Sequence, residues 1–161
     1  MSNGNSSNHA RWLAWAEEDL FRVNILMGYS DVRGCMSHLQ QASEKYLKGK
    51  LIENGWRLKR LHNIETLLSE AREHGINCPM SDEVASLLTS QYTASRYPGE
   101  GLEGEEEEEL TMEDVRECMV EVSDMMGKPP GGEESDEGKD LYRPGFGNQP
   151  PPIGGGGIGG H

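Results

Sequence analysis

Residues 31–56, DVRGCMSHLQQASEKYLKGKLIENGW, carry two helical stripes at once. Val32, Cys35, Met36, Leu39, Ala42, Tyr46, Leu47 and Leu51 recur every three or four positions, the spacing of one helix face turned to a core. Gln41, Glu44, Lys45 and Lys48 keep the same spacing on another face, which sets an amide, a carboxylate and two ammonium groups in a row. Ser30 or Asp31 is placed to cap this helix and Asn54-Gly55 to stop it. Glu44 and Lys48 stand in the favourable order for an i,i+4 ion pair, a purely structural account of both. That account does not reach Gln40, Gln41 and Lys45 beside them.

Outward from this stretch the periodicity stays helical. A first helix is expected from about Ala10 to Gly28, with Trp12, Trp15, Ala16, Leu20, Val23 and Leu26 inward and Glu17, Glu18 and Arg22 on the wet side. Both Trp residues match the apolar stripe, so core packing is expected for them rather than a base-stacking platform. After the basic loop WRLKRL at 56–61, His62 or Asn63 opens a third helix through Ile64, Leu67, Leu68 and Ala71, ended by Gly75. Ser81 starts a fourth through Val84, Leu87, Leu88 and Tyr92, which Pro98 stops just beyond Arg96. Thr111 and Asp114 form a capping box for a fifth, with Val115, Cys118, Met119, Val122 and Met126 inward. No alternating strand pattern of useful length is present. The expected fold class is all-α, an antiparallel bundle of four to five helices with a disordered Gly/Pro-rich C-terminal tail. Residues 1–8 read as a disordered arm, 9–127 as the bundle, and 128–161, with 11 Gly and 6 Pro, as the tail.

Charge narrows the function. The net charge is −13, which argues against binding nucleic acid through a general basic surface. The distribution is uneven: Glu100, Glu103 and Glu105 to Glu109 make an acidic run, while residues 44–62 carry Lys45, Lys48, Lys50, Arg57, Lys59 and Arg60 against Glu44 and Glu53. A small basic site on an acidic body suits a phosphate, a nucleotide or a short single strand. The plainer account is a helix end with cations near its negative pole, followed by a solvated loop. Three cysteines with no C-x-x-C spacing argue against zinc and fit a reducing cytoplasm. The polar N-terminus suggests no secretion signal, and no apolar run approaches the ~20 residues of a membrane span. A Gly-rich phosphate loop, a nucleophile elbow and metal-ligand spacing are all missing, so no cofactor or metal is expected.

Cys35, then Leu39-Gln40-Gln41-Ala42-Ser43-Glu44-Lys45-Tyr46-Leu47-Lys48, Gly55, His62-Asn63-Ile64 and Leu67-Leu68 together resemble the HEPN domain family. Ala16-Glu17-Glu18-Asp19-Leu20 is similar to its first-helix signature, and Tyr92 with Arg96-Tyr97-Pro98 to its Y…RYP element. The resemblance covers about residues 10–127. It implies a helical bundle, commonly a homodimer, of a prokaryotic type often paired with a minimal nucleotidyltransferase in a toxin–antitoxin-like context. Some members are metal-independent endoribonucleases; others bind nucleotides or act as non-catalytic partners. Carried onto this chain, Gln41, Lys45, Lys48, His62 and Arg96 occupy the recurrent polar positions.

The nuclease members use an Arg and a His, a short spacer apart, near the start of a late helix. Arg57 with His62, and Arg33 with His38, fit the spacing, yet neither pair has the usual polar residue after Arg and neither lies in the late helix. Arg33 and His38 differ by about 140° around their helix and so do not share a face. The fifth helix holds Arg116 but no His. Three readings follow. One is a binding module for a nucleotide or single-stranded RNA, using Gln41, Lys45, Lys48, Arg57, His62 and Arg96 or docking a nucleotidyltransferase. Another is an endoribonuclease with His62 as general acid/base and Arg57 stabilising the phosphorane. The third is a non-catalytic helical dimerisation domain.

Overall fold

A computed structural model describes residues 6–96 and 109–128; all of the expected tail beyond Lys128 and most of the acidic run lie outside the described residues, as do Tyr97 and Pro98. The regular structure is five α-helices: α1 (Ser6–Gly28), α2 (Val32–Glu53), α3 (Ile64–Glu73), α4 (Asp82–Arg96) and α5 (Met112–Met125). Among the described residues there is no strand. The all-α bundle expected from the periodicity is what forms. α1 begins at Ser6, ahead of the expected Ala10, so residues 6–8 belong to the helix.

α2 packs against all four other helices, and its closest partner is α1. The two run antiparallel: the Val23 carbonyl near the end of α1 meets the Cys35 thiol near the start of α2, and Trp12 and Leu13 lie against Gly49 near its end. A Cβ at Gly49 would sit 2.9 Å from Leu13 Cδ2, so the seam closes this tightly because position 49 has no side chain. The core joins Ala16, Leu20 and Val23 of α1 to Met36, Leu39, Leu47 and Leu51 of α2, Leu67 and Leu68 of α3, Leu88 of α4 and Val122 of α5. Truncating one such Leu to Ala costs roughly 2–5 kcal/mol. Cys35, Cys78 and Cys118 are buried free thiols, and burial, helped by nearby carboxylates, pushes Cys118 up to about 12.

Local chemistry sets the ends of the elements. Asp31 caps α2 through the Gly34 amide, and Thr111 with Asp114 closes the reciprocal capping box on α5. At the end of α2, Gly55 takes φ +87° while Trp56 N–H returns to the Leu51 carbonyl and Gly55 N–H to that of Ile52, a Schellman stop. The turn drops Trp56 into the core, where its indole N–H donates to Glu70. Lys59 adds a 3.1 Å bond to the same carboxylate. The basic loop is thereby pinned to α3, and His62 emerges beside α2.

The two Trp residues part company. Trp12 packs against the core as expected, but Trp15 is 43% exposed, with the Arg11 guanidinium 5.2 Å from its ring. The core face of α1 is centred on Ala16, Leu20 and Val23, and Trp15 lies about a quarter turn away from that centre. The polar stripe of α2 also departs from a solvated face. Lys48 is 3% exposed and Gln40 is buried with it.

Candidate functional site

The stripe of α2 resolves into two networks, each built on one carboxylate. Asp19 of α1 centres the first. It is 1% exposed and accepts from His38 Nδ1 at 2.9 Å, from Arg22 at 3.1 Å and from the Lys45 ammonium. Arg22 also reaches Glu18 at 3.7 Å, the i,i+4 pair expected from spacing. This network lies wholly within the α1–α2 hairpin. It compensates a carboxylate that would be costly to bury alone.

Glu44 of α2 centres the second. Its Oε1 accepts from Lys48 Nζ at 2.8 Å and from His62 Nδ1 at 2.9 Å, while Oε2 accepts from Gln40 at 3.0 Å. Burial alone would push the Glu44 carboxyl up. The bonds from Lys48, His62 and Gln40, with the charge of Lys48, outweigh it and hold the group below its ordinary 4.5. On its other side Lys48 lies 5.6 Å from the Trp12 ring centroid, a cation–π contact inside the seam.

From this buried base the second network opens outward. The His62 side chain is 41% exposed. Its ring stacks on Tyr92 at 4.8 Å with only 9° between the planes. The Arg96 guanidinium lies 4.3 Å from the centroid of the same Tyr92 ring. The placement follows from the sequence on both sides. Asn63 caps α3 through the Thr66 amide, and the Ile64 amide donates to Thr89 Oγ1 at 3.1 Å. That bond fixes the start of α3 against α4 one turn before Tyr92, with Arg96 a further turn on. His62 Nδ1 faces Glu44, so with an ionised carboxylate the Nδ1 position carries the proton and Nε2 is left for other chemistry. Nε2 has no partner among the described residues, and Arg96 has no carboxylate there.

The expected site residues therefore separate. Lys48, His62 and Arg96 gather around Glu44 and Tyr92. Lys45 belongs to the Asp19 network, and Gln41 reaches only Ser37, at 3.5 Å. It is Gln40 that joins the Glu44 network. Arg57 is exposed and lines a shallow groove of about 390 Å³ with Asn8, Ile52, Trp56 and Leu58. No contact links Arg57 to His62. Of the neighbouring basic residues, Lys50 pairs with Glu53 and Lys59 with Glu70, so the local positive excess is largely neutralised.

The hub roles of Asp19 and Glu44 and the part played by His38 were the features that spacing alone could not give. The i,i+4 rule found the Glu44–Lys48 pair but not its burial, which α1 imposes. Among the described residues no group of His, Cys, Asp or Glu is arranged to hold a metal ion.

No curated protein and no solved structure matches the chain. A family model for the HEPN domain matches residues 9–128, the span that includes both networks and all five helices but the first turn of α1. The motif residues of α2, the His before α3 and the Arg at the end of α4 thus fall in one match in the expected order, and the chain belongs to the HEPN domain family.

Proposed function

We propose that the chain is a nucleotide- or RNA-binding module in which His62 and Arg96, gathered at the Tyr92 ring, receive the phosphate. The HEPN family is associated with RNA binding or RNase activity. The observation that carries the reading is the meeting of an imidazole and a guanidinium on one aromatic ring, above a buried Glu44–Lys48 pair, with no carboxylate on the guanidinium among the described residues. Aromatic and guanidinium planes stack bases, and charged donors bind phosphate oxygens. Lys48 acts from behind, holding the carboxylate that orients His62. Lys45 and Gln41 brace the helix that carries both.

A second reading, metal-independent endoribonuclease, is favoured by the Glu44–His62 pair. A carboxylate fixing Nδ1 leaves Nε2 as a general acid/base. Arg96, rather than Arg57, then supplies the positive charge for the phosphorane as the ribose 2′-OH attacks. The wider reading is a cytoplasmic homodimer working beside a nucleotidyltransferase in a toxin–antitoxin-like setting. Trp15, Phe21 and Ile25 of α1 and Tyr29 of the turn after it, all exposed, support an association surface. No described helix is long and apolar enough to cross a membrane.

The test is labelled single-stranded RNA in EDTA, scored for binding and cleavage, with His62→Ala, Arg96→Ala and Arg57→Ala. Binding without cleavage, lost in the first two variants and kept in the third, is expected. Cleavage abolished by His62→Ala would make the enzyme reading the better one. Binding untouched by His62→Ala and Arg96→Ala would remove the site.

A further inference from the structure

The charges around Tyr92 set what kind of phosphate the site can hold. Lys48 and Glu44 cancel each other, and Lys48 is too deeply buried to meet a ligand. Lys45, Lys50 and Lys59 are each paired with a carboxylate. Arg57 and Arg60 have no carboxylate among the described residues, but neither touches the Tyr92 stack, and Arg57 lines the separate groove. Glu44 of α2 and Tyr92 of α4 touch the imidazole; Lys48 shares the Glu44 carboxylate, Arg96 lies against the same Tyr92 ring, and Trp12 of α1 reaches the network through Lys48. Among the described residues the stack therefore presents a single fixed positive charge, Arg96, and a second one when His62 takes a proton on Nε2. No row of unpaired cations leads away from it among those residues, as a groove that tracks a polyanionic backbone requires.

Resting on the binding function proposed above, we infer that the site selects a terminal phosphomonoester, from a free mononucleotide or the phosphorylated end of a short RNA, over an internal phosphodiester. A phosphomonoester carries about −1.5 to −2 charges near neutral pH and three acceptor oxygens. A diester carries one charge and two non-bridging oxygens. The dianion matches Arg96 together with an imidazolium, whose Nε2–H donates to a phosphoryl oxygen while Nδ1–H stays on Glu44. The nucleoside attached to that phosphate then lies beside the exposed side of the His62–Tyr92 stack, where a base can add to it. An internal phosphate leaves half of this charge unmatched and requires the strand to pass the stack on both sides.

The experiment uses the full chain and non-cleavable 2′-O-methyl hexanucleotides of one sequence, bearing a 5′-phosphate, a 3′-phosphate or neither. Affinity is read by fluorescence anisotropy in EDTA, with a nucleoside monophosphate as competitor. A phosphorylated end should tighten binding by roughly tenfold, the order expected for one added charge-assisted contact. His62→Gln and Arg96→Gln should each shrink that gap to about twofold or less, with Arg57→Gln as the unaffected control and thermal melts confirming that all variants fold. Which end is preferred, and whether the mononucleotide competes, identifies the source of the phosphate. Equal binding of all three strands, still weakened in His62→Gln and Arg96→Gln, would overturn the selectivity and leave the binding function standing. Absence of binding by every ligand would overturn both.

Discussion

The Asp19 and Glu44 networks use the same parts and do different things. Each sets a lysine of α2 and a histidine, through Nδ1, on one carboxylate. In the first, the histidine and lysine both come from α2, Arg22 adds a third donor, and the carboxylate is sealed inside the α1–α2 hairpin. In the second, the histidine comes from the loop before α3, an aromatic ring and an arginine come from α4, and the imidazole is partly exposed. The number of elements that contribute decides the outcome. Two helices make a clasp; three segments meeting at one edge leave groups without a partner among the described residues, which is what the proposed binding function uses.

The strongest test of that division is Asp19→Ala. It strands His38, Lys45 and Arg22 around an empty position, and breaking such a buried pairing costs about 3–5 kcal/mol. Urea denaturation should show the loss, while RNA affinity per folded molecule stays within about twofold. A loss of affinity on the scale of a His62 variant would merge the two networks into one site.

Glu44→Gln should touch both properties. It leaves Lys48 buried without its counter-charge and weakens the orientation of His62, so stability falls by about 2–3 kcal/mol and ligand affinity drops with it. Because the folded-state carboxyl is held below its ordinary 4.5, Glu44 contributes stability above that pH. The contribution is lost as pH falls through 4.5 and on through the lower folded value. Stability of the wild type measured between pH 6 and 3 should therefore fall more steeply than that of Glu44→Gln. Parallel curves would deny Glu44 this role.

Arg96→Ala should be nearly silent in stability, within about 0.5 kcal/mol, because the residue is exposed and its contact among the described residues is with the Tyr92 ring. Its effect belongs to ligand affinity, roughly tenfold by anisotropy titration. The smallest effect is expected for Arg57→Ala, within about 0.5 kcal/mol in denaturation and twofold in RNA binding. A large effect there would move the functional edge to the groove beside Trp56.

Most of the fold was legible from the chain because its signals are local. Thr111 with Asp114 and Asn54-Gly55 announce ends without reference to tertiary structure, and the apolar period of α2 does the same for a buried face. Trp15 has the residue type of the stripe, but its angle on α1 sets it beside the core rather than in it. The site was half legible. His62, Lys48 and Arg96 could be named from residue type, order and resemblance. Their separation from Lys45 and Gln41 depends on where Asp19 reaches across from α1, and Gln40 differs from its neighbour Gln41 only by 100° of helix. The isolation of Arg57 follows from the Trp56–Glu70 anchor, a long-range contact that no local pattern encodes.

The short turn between α1 and α2 has a kinetic consequence. Contacts within a hairpin close small loops and form early, whereas those that span distant segments come later and open more readily. The Asp19 network can assemble as soon as the first two helices meet. The Tyr92 stack must wait for α4 to dock, and it can come apart while the hairpin stays whole. Hydrogen exchange should find the amides of α1 and α2 protected longest and those at the end of α4 released first. A nascent chain emerging as far as α3 would hold its scaffold already, with the Tyr92 edge completed when α4 follows.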